Sequence, residues 1–143
     1  MANKQKISLR RSKKQPMPKY DEINFNPPAP VASVKLENLE TGEIVTEVSM
    51  LVDTGADITL LPKSIVEGLA IRFGEADYEL EGFDGSRSKA RAAELRLIFL
   101  DKKFTGQFLV SENEDGILGR DILNHLKLLF DGKNLEWSES ESK

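Results

Sequence analysis

The sequence contains no cysteine and a single histidine, His125. Without cysteine the chain forms no disulfide, offers no thiolate nucleophile and has no thiolate ligand for zinc. One histidine also excludes, within a single chain, a metal site built from several histidines. Because disulfides mark oxidising compartments, their absence makes a cytoplasmic location the default expectation.

Long apolar runs are also missing from the sequence. No stretch approaches the about 20 residues that a helix needs to span a bilayer, so we expect no membrane span. The basic N-terminus lacks the apolar core of a secretory signal. Hydrophobic residues make up 39% of the 143 residues and charged residues 31%, which is typical of one soluble globular domain.

The charges are distributed unevenly along the chain. Residues 1–20 carry seven basic side chains and no acidic one, whereas the remainder carries 13 basic against 24 acidic side chains. A basic arm of this kind could contact nucleic acid, an anionic membrane surface or the acidic body itself, or could simply be a solvated leader. The acidic body argues against nucleic acid as the main partner.

Composition also suggests where the folded part begins and ends. Residues 1–30 lack hydrophobic periodicity and end in the proline-rich segment Asn26–Pro30, so we expect a basic, disordered leader there. We expect the folded domain over residues 31–137. The last six residues, 138–143, contain only Ser, Glu and Lys, and we expect them to form a disordered tail.

Between these ends the hydrophobic pattern is mostly of period two, which predicts β-strands. The predicted strands are Val31–Leu36, Ile44–Val52, Tyr78–Phe83, Ser88–Leu100, Phe104–Val110, Leu128–Phe130 and Leu135–Trp137. Short helices are predicted at Lys63–Leu69 and Arg120–Leu126. Many short strands with two short helices predict an all-β domain built as a small closed barrel.

One carboxylate stands at the end of an apolar strand. Asp53 follows Leu51-Val52 and precedes the small, turn-forming residues Thr54, Gly55 and Ala56. A carboxylate in such a place needs hydrogen bonds, and Gly55 lets the backbone approach it and donate its N–H. Two such carboxyl groups sharing one proton can act as acid and base on a water molecule. The three residues Asp-Thr-Gly alone also fit an ordinary turn.

A second segment near the other end of the chain favours the catalytic interpretation. Gly116–Asp121 places two apolar residues before Gly119, Arg120 and a predicted helix. Together the two segments, in order and spacing over Val31 to Trp137, resemble the retroviral-type (retropepsin-like) aspartic proteases. In that family an apolar-apolar-Asp-Thr-Gly-Ala segment is followed further along the chain by apolar-apolar-Gly-Arg-Asp/Asn and a short helix.

The resemblance implies a single-domain protomer that contributes one catalytic residue, Asp53, and acts as a homodimer on a polypeptide substrate without a cofactor. A single Asp-Thr-Gly per chain agrees with this, since two carboxylates then need two chains. By resemblance, Thr54 bridges to the partner's loop and Gly55 contacts the dyad and substrate. Asp57 and Arg120 form an ion pair in this interpretation, with two unrelated exposed charges as the alternative.

The resemblance also places a flap at the hairpin around Asp84-Gly85. The predicted flap residues are Gly82, Phe83, Asp84, Gly85 and Ser86. Its tip is more polar than is usual in the family, so an ordinary exposed hairpin is the alternative. Leu80 and Ile117 are candidate apolar substrate-binding residues, and Leu135–Trp137 is a candidate strand of an intersubunit sheet.

Three functions therefore compete. The first is a homodimeric aspartic endopeptidase, and the second is a non-catalytic dimeric module that binds extended peptides on the same fold. The third is a divalent-metal site built from Asp53, Asp57 and Asp121. The apolar approach to Asp53 and the absence of a phosphate-cradling glycine loop count against the metal site, and we predict none.

Overall fold

A computed structural model describes residues 19–82, 84–112 and 114–140. Strands predominate, which agrees with the predicted fold class. The strands are β1 (Tyr20–Asp21), β2 (Ala29–Glu37), β3 (Ile44–Val52), β4 (Leu60–Leu61), β5 (Phe73–Glu81), β6 (Arg87–Phe99), β7 (Lys102–Ser111), β8 (Ile117–Leu118), β9 (Leu128–Asp131) and β10 (Glu136–Glu139). The helices are α1 (Lys63–Gly68) and α2 (Arg120–Leu123). Within the described part, no helix is long and apolar enough to cross a bilayer.

Eight strands form one sheet in the order β1-β2-β3-β8-β4-β7-β6-β5, and an additional pairing between β2 and β6 closes it into a ring. Strands β9 and β10 form a separate antiparallel pair. Within the ring, β3 and β8 run parallel, with Leu51 opposite Ile117 and Val52 opposite Leu118. Because parallel strands end at the same edge, the residues that follow Val52 and Leu118 meet there.

The core lies inside this ring. Side chains of a strand point alternately to its two faces, so every second residue of the ring strands faces inward. Leu36 of β2, Met50 of β3, Leu95 and Leu97 of β6, and Leu118 of β8 are completely buried. Burying an apolar side chain of this size stabilises the fold by about 1.5–3 kcal/mol. Even the two-residue strand β8 is therefore anchored by core packing.

The N-terminal boundary lies earlier than the sequence analysis places it. In the described part of the chain, Lys19 bridges to Glu136, and β1 pairs with the first residues of β2. The N–H of Tyr20 donates to the carbonyl oxygen of Leu135 at 3.0 Å. The expected boundary at Val31 is wrong for this reason: the segment before it hydrogen-bonds to the C-terminal hairpin. Residues 1–18 of the predicted leader lie outside the described residues.

The C-terminal boundary is also wrong, because β10 continues into the predicted tail. Ser138 pairs with Leu129 and Glu139 with Leu128. These pairings follow from Trp137, whose indole is buried against the core and fixes β10 over it. Residues 141–143 lie outside the described residues.

Other differences concern element length. Strand β5 begins at Phe73 rather than Tyr78, and α2 ends at Leu123, after which two i to i+3 hydrogen bonds continue the chain as a turn to Leu126. The two-residue strands β1, β4 and β8 were not predicted. Such short segments carry no periodicity of their own, and only pairing with distant partners defines them.

Trp137 provides the first prediction. Its side chain is 2% exposed, its ring centroid lies 5.9 Å from that of Phe99, and its Nε1–H donates to the carbonyl oxygen of Val31 at 3.1 Å. We expect Trp137→Ala to lower the free energy of unfolding by about 3–5 kcal/mol, because it leaves a large cavity. Urea unfolding measures this. Leu129→Ala is the control, since Leu129 is 61% exposed on the same hairpin. Equal effects of the two variants would contradict the packing described here.

Candidate active site

Asp53 is the first residue after β3, at the edge where β3 and β8 end together. Its backbone N–H donates to the carbonyl oxygen of Leu118 at 3.1 Å, which continues the β3–β8 pairing by one bond. The chain then turns, with the N–H of Ala56 donating to the carbonyl oxygen of Asp53 at 3.2 Å. The backbone of Asp53 is thus held on both sides, by a neighbouring strand and by its own loop.

The carboxylate of Asp53 has one hydrogen bond within its loop. The N–H of Gly55 donates to Oδ1 at 2.9 Å. No group of the described residues donates to Oδ2, and the residue is only half-buried. Thr54 and Gly55 beside it are exposed. The arrangement leaves a half-buried carboxylate with acceptor capacity at Oδ2, as a proton acceptor requires.

Arg120 links this loop to α2 through three hydrogen bonds. Its Nη1 donates to the carbonyl oxygen of Thr54 at 2.8 Å, and its backbone N–H donates to that of Ala56 at 2.9 Å. Its Nη2 contacts the carboxylate of Asp57, so the structure brings together the two charges that the sequence analysis pairs. The Asp57 side chain is 83% exposed, and exposed ion pairs contribute about 0–1 kcal/mol. Arg120 therefore contributes mainly by fixing the position of the loop, and little by the energy of its ion pair.

Position 119 requires glycine because there is no room for a side chain. A Cβ on Gly119 would lie 2.4 Å from the carbonyl carbon of Ile58 and 2.5 Å from its oxygen. The φ angle of Gly119 is −98°, which any residue adopts, so steric crowding alone excludes a side chain. The backbone of Ile58, in the segment after Asp53, therefore lies directly against the backbone of Gly119, just before α2.

The sequence analysis does not identify a role for Thr59, whose side chain hydrogen-bonds to the segment that contains Gly119. Thr59 is 1% exposed and hydrogen-bonds to Gly119 and to Asp121. Oδ1 of Asp121 also accepts the N–H of Ile122 at 2.9 Å in the first turn of α2. A polar threonine inside the apolar run Ile58–Leu61 was the available signal, since a buried hydroxyl needs partners.

The three carboxylates of the alternative metal site have different partners. Asp53 is bound by Gly55, Asp57 by Arg120, and Asp121 by Thr59. Among residues 19–82, 84–112 and 114–140, no three His, Asp or Glu side chains gather as metal ligands would. The geometry of these residues does not favour the metal-site interpretation.

The predicted flap is the connection between β5 and β6. The N–H of Gly82 donates to the carbonyl oxygen of Ser86 at 2.8 Å, and the N–H of Gly85 donates to that of Gly82 at 3.0 Å. Gly85 has φ = +82°, a conformation that favours glycine. The Oδ1 atom of Asp84 accepts the N–H of Ser86 at 2.9 Å. Phe83 lies outside the described residues.

The flap stem separates charged from less polar side chains. Directly opposed residues of antiparallel strands share a face, so Asp77 and Arg91 lie on one face, while Leu80 and Ser88 lie on the other. Asp77 and Arg91 form an ion pair at 3.2 Å. Leu80 is half-buried in this stem. Ile117, the second candidate substrate-binding residue, is half-buried in β8 next to β3.

Comparison with known proteins agrees with this arrangement. Residues 41–125 match the model of the family described as "gag-polyprotein putative aspartyl protease", a range that includes the Asp53 loop, the flap and Arg120. Among solved structures, the EIAV protease complexed with the inhibitor HBY-793 is similar, with a TM-score of 0.53, 22% sequence identity, and coverage of 73% of this chain and 91% of that chain. At this identity the likeness shows the fold. No curated protein matches the sequence. The resemblance to retropepsin-like proteases is thereby confirmed.

The crowding at Gly119 predicts a large effect of one added methyl group. We expect Gly119→Ala to lower the free energy of unfolding by about 1–3 kcal/mol, because backbone atoms of Ile58 cannot move aside as a flexible side chain would. Thermal and urea unfolding measure the change. Gly68→Ala is the matched control, since a Cβ there meets nothing within 4 Å and we expect no loss of stability. A neutral Gly119→Ala would contradict the close approach.

The hydrogen bonds at the flap tip predict how the Asp84 carboxyl titrates. Hydrogen bonds from the side chain and then the backbone N–H of Ser86 hold the pKa of the exposed Asp84 carboxyl below its ordinary value. Because the folded-state pKa is lowered, these bonds stabilise the tip above about pH 4 and are lost as the pH falls through the folded-state pKa. We expect Ser86→Ala to raise the Asp84 pKa in an NMR titration. Ser88→Ala is the control, and equal shifts in both variants would contradict the assignment.

Proposed function

The chain belongs to the family of gag-polyprotein aspartyl proteases, and on this basis we propose that it is an aspartic endopeptidase whose active site contains Asp53 of two identical subunits. The observation that carries the proposal is the setting of Asp53. Its carboxylate follows β3, whose Met50 and Val52 are buried, receives one hydrogen bond from Gly55 and keeps Oδ2 free of described partners. A carboxylate held in this way has a fixed position and one oxygen available to accept a proton.

The need for two subunits follows from counting carboxylates. The sequence contains one Asp-Thr-Gly segment, and the neighbouring Asp57 and Asp121 are engaged by Arg120 and Thr59. A second catalytic carboxylate therefore comes from a second chain. In a twofold dimer the same surface is used by both subunits, so Asp53 faces the partner's Asp53 across the axis. The exposure of Thr54 and Gly55 in the single chain supports this, since both are available to a partner.

The proposed chemistry uses the two carboxyl groups as acid and base. Two carboxylates about 3 Å apart do not both ionise, so one stays protonated. The ionised group removes a proton from a water molecule, whose oxygen attacks the carbonyl carbon of the peptide bond. Proton transfer from the dyad to the leaving nitrogen then completes cleavage, without a covalent intermediate. The N–H of Gly55 is directed at Asp53 and fixes the orientation of the carboxylate during these steps.

The substrate is proposed to be an extended polypeptide. An extended chain is bound mainly through its backbone, by β-type hydrogen bonds to a strand or hairpin. The β5–β6 hairpin supplies such a backbone, and Gly82 and Gly85 at its tip allow close approach. Leu80 in its stem and Ile117 beside β3 are the apolar residues proposed to contact substrate side chains.

The direct test replaces the carboxylate by its neutral isostere. We expect Asp53→Asn to lower the rate of cleavage of an unfolded protein mixture by about 10²–10⁴-fold, because the general base is lost. Asp101→Asn is the matched control: Asp101 is exposed in the β6–β7 turn, and its φ of +63° suits asparagine. Mass spectrometry of the products measures the rate of cleavage.

Two further arms distinguish the alternatives. Cleavage by the wild type should be indifferent to a chelator and should show a bell-shaped dependence on pH, as a dyad sharing one proton requires. Loss of cleavage on chelation would indicate a metal site. Equal inactivity of the wild type and Asp53→Asn over varied substrates would contradict the proposed protease and favour a peptide-binding module.

A further inference from the structure

We propose that Thr59 and Asp121 are positioning residues that hold Asp53 in its reactive geometry through the peptide group between Leu118 and Gly119. The inference deepens the proposed function and rests on it. It concerns hydrogen bonds distinct from those of the exposed Arg120–Asp57 pair.

The Leu118–Gly119 peptide group is bonded at both ends. Its carbonyl oxygen accepts the N–H of Asp53 at 3.1 Å, and its N–H donates to Oγ1 of Thr59 at 3.0 Å. Because a peptide group is planar, the directions of these two bonds are fixed relative to each other. A rotation of this plane therefore moves the backbone from which the Asp53 carboxylate projects. Thr59 opposes such a rotation.

The direction of the Thr59 hydroxyl is set by Asp121. A hydroxyl has one hydrogen to donate, and that of Thr59 goes to Oδ1 of Asp121 at 2.7 Å. A lone pair of Oγ1 is then directed at the N–H of Gly119. The hydroxyl is buried with the 1% exposed Thr59, so water does not compete for it, and a buried hydrogen bond is stronger than an exposed one.

Asp121 needs to be a carboxylate for this role. It accepts three hydrogen bonds: the hydroxyl of Thr59 and the N–H of Ile122 at Oδ1, and the N–H of Thr59 at Oδ2, the last at 3.1 Å. An asparagine has only one acceptor atom in this place, so its amide nitrogen would face a donor. Asp121 thereby fixes both the backbone and the side chain of Thr59 against the start of α2.

The bonds of the buried Thr59 hydroxyl and the contacts of Arg120 act at different points around the Asp53 loop. The Arg120 guanidinium binds the carbonyl oxygen of Thr54 and the carboxylate of Asp57. The side chains of Arg120 and Asp57 are 41% and 83% exposed, so water competes for these contacts. The bonds through Thr59 reach the backbone of Asp53 itself by way of one rigid group. We therefore assign the position of the carboxylate to the bonds of the buried Thr59 hydroxyl, which Asp121 orients from the exposed start of α2.

The test compares Thr59→Val, which removes the hydroxyl at nearly constant shape, with Thr59→Ser, which keeps it. Active sites are counted by titration with a statine-containing peptide inhibitor, and kcat is expressed per site. We expect Thr59→Val to lower kcat by about 10–100-fold with little change in KM, since misplacement of a catalytic group has an effect of this size. Thr59→Ser should stay within about threefold of the wild type, because its hydroxyl makes the same bonds.

A second readout does not depend on activity. Amide hydrogen exchange at Asp53, measured by NMR, should be faster in Thr59→Val than in Thr59→Ser at equal global stability. If Thr59→Val fails to fold, Asp121→Asn takes its place, with the same expected loss of kcat and faster exchange at Asp53.

The outcomes separate the two proposals. Equal kcat and equal Asp53 exchange in the valine and serine variants would overturn the positioning role while leaving the protease intact. Unfolding of both Thr59→Val and Asp121→Asn would also overturn it, because the pair would then be a folding determinant. Absence of Asp53-dependent cleavage by the wild type would overturn the proposed function, whatever the exchange data show.

Discussion

The hydrogen bond from the N–H of Asp53 to the carbonyl oxygen of Leu118 joins the strand that carries the carboxylate to the segment that enters α2. It extends the parallel pairing of β3 with β8 by one bond. Strand β8 is two residues long and lies between β3 and β4 in the ring. Gly119 follows at once, and only glycine lets this segment approach the backbone of Ile58. The position of Asp53 thus depends on contacts between parts of the chain 60 or more residues apart in sequence.

Two kinds of interaction surround this bond, and they differ in burial. The hydroxyl of Thr59 and the carboxylate of Asp121 form a compact set of hydrogen bonds around a residue that is 1% exposed. The ion pair of Arg120 with Asp57 is exposed to solvent. Exposed pairs contribute little energy and are screened by salt, whereas buried hydrogen bonds impose geometry. We therefore assign the position of Asp53 to the bonds of the buried Thr59 hydroxyl rather than to the exposed ion pair.

How far the sequence predicts this molecule depends on whether a feature is local. Strand β3 was predicted with its observed bounds, because alternation and the turn residues after Val52 act within a few positions. The Asp57–Arg120 contact came from the family pattern, which carries long-range information. Strand β8 and the role of Thr59 were not predicted, since pairing over such a distance leaves no periodicity. The boundaries were misplaced because Trp137 orders residues that look like a tail by composition.

The central claim is that one active site needs Asp53 from two chains, and mixed dimers test it most directly. Wild-type protein is kept constant while increasing amounts of the Asp53→Asn variant are added and subunits are allowed to exchange. If the dyad spans a twofold axis, hybrid dimers are inactive, and an equimolar mixture retains about half of the activity of the wild type alone. Activity that stays unchanged at every ratio, with exchange verified by native mass spectrometry, would contradict the claim.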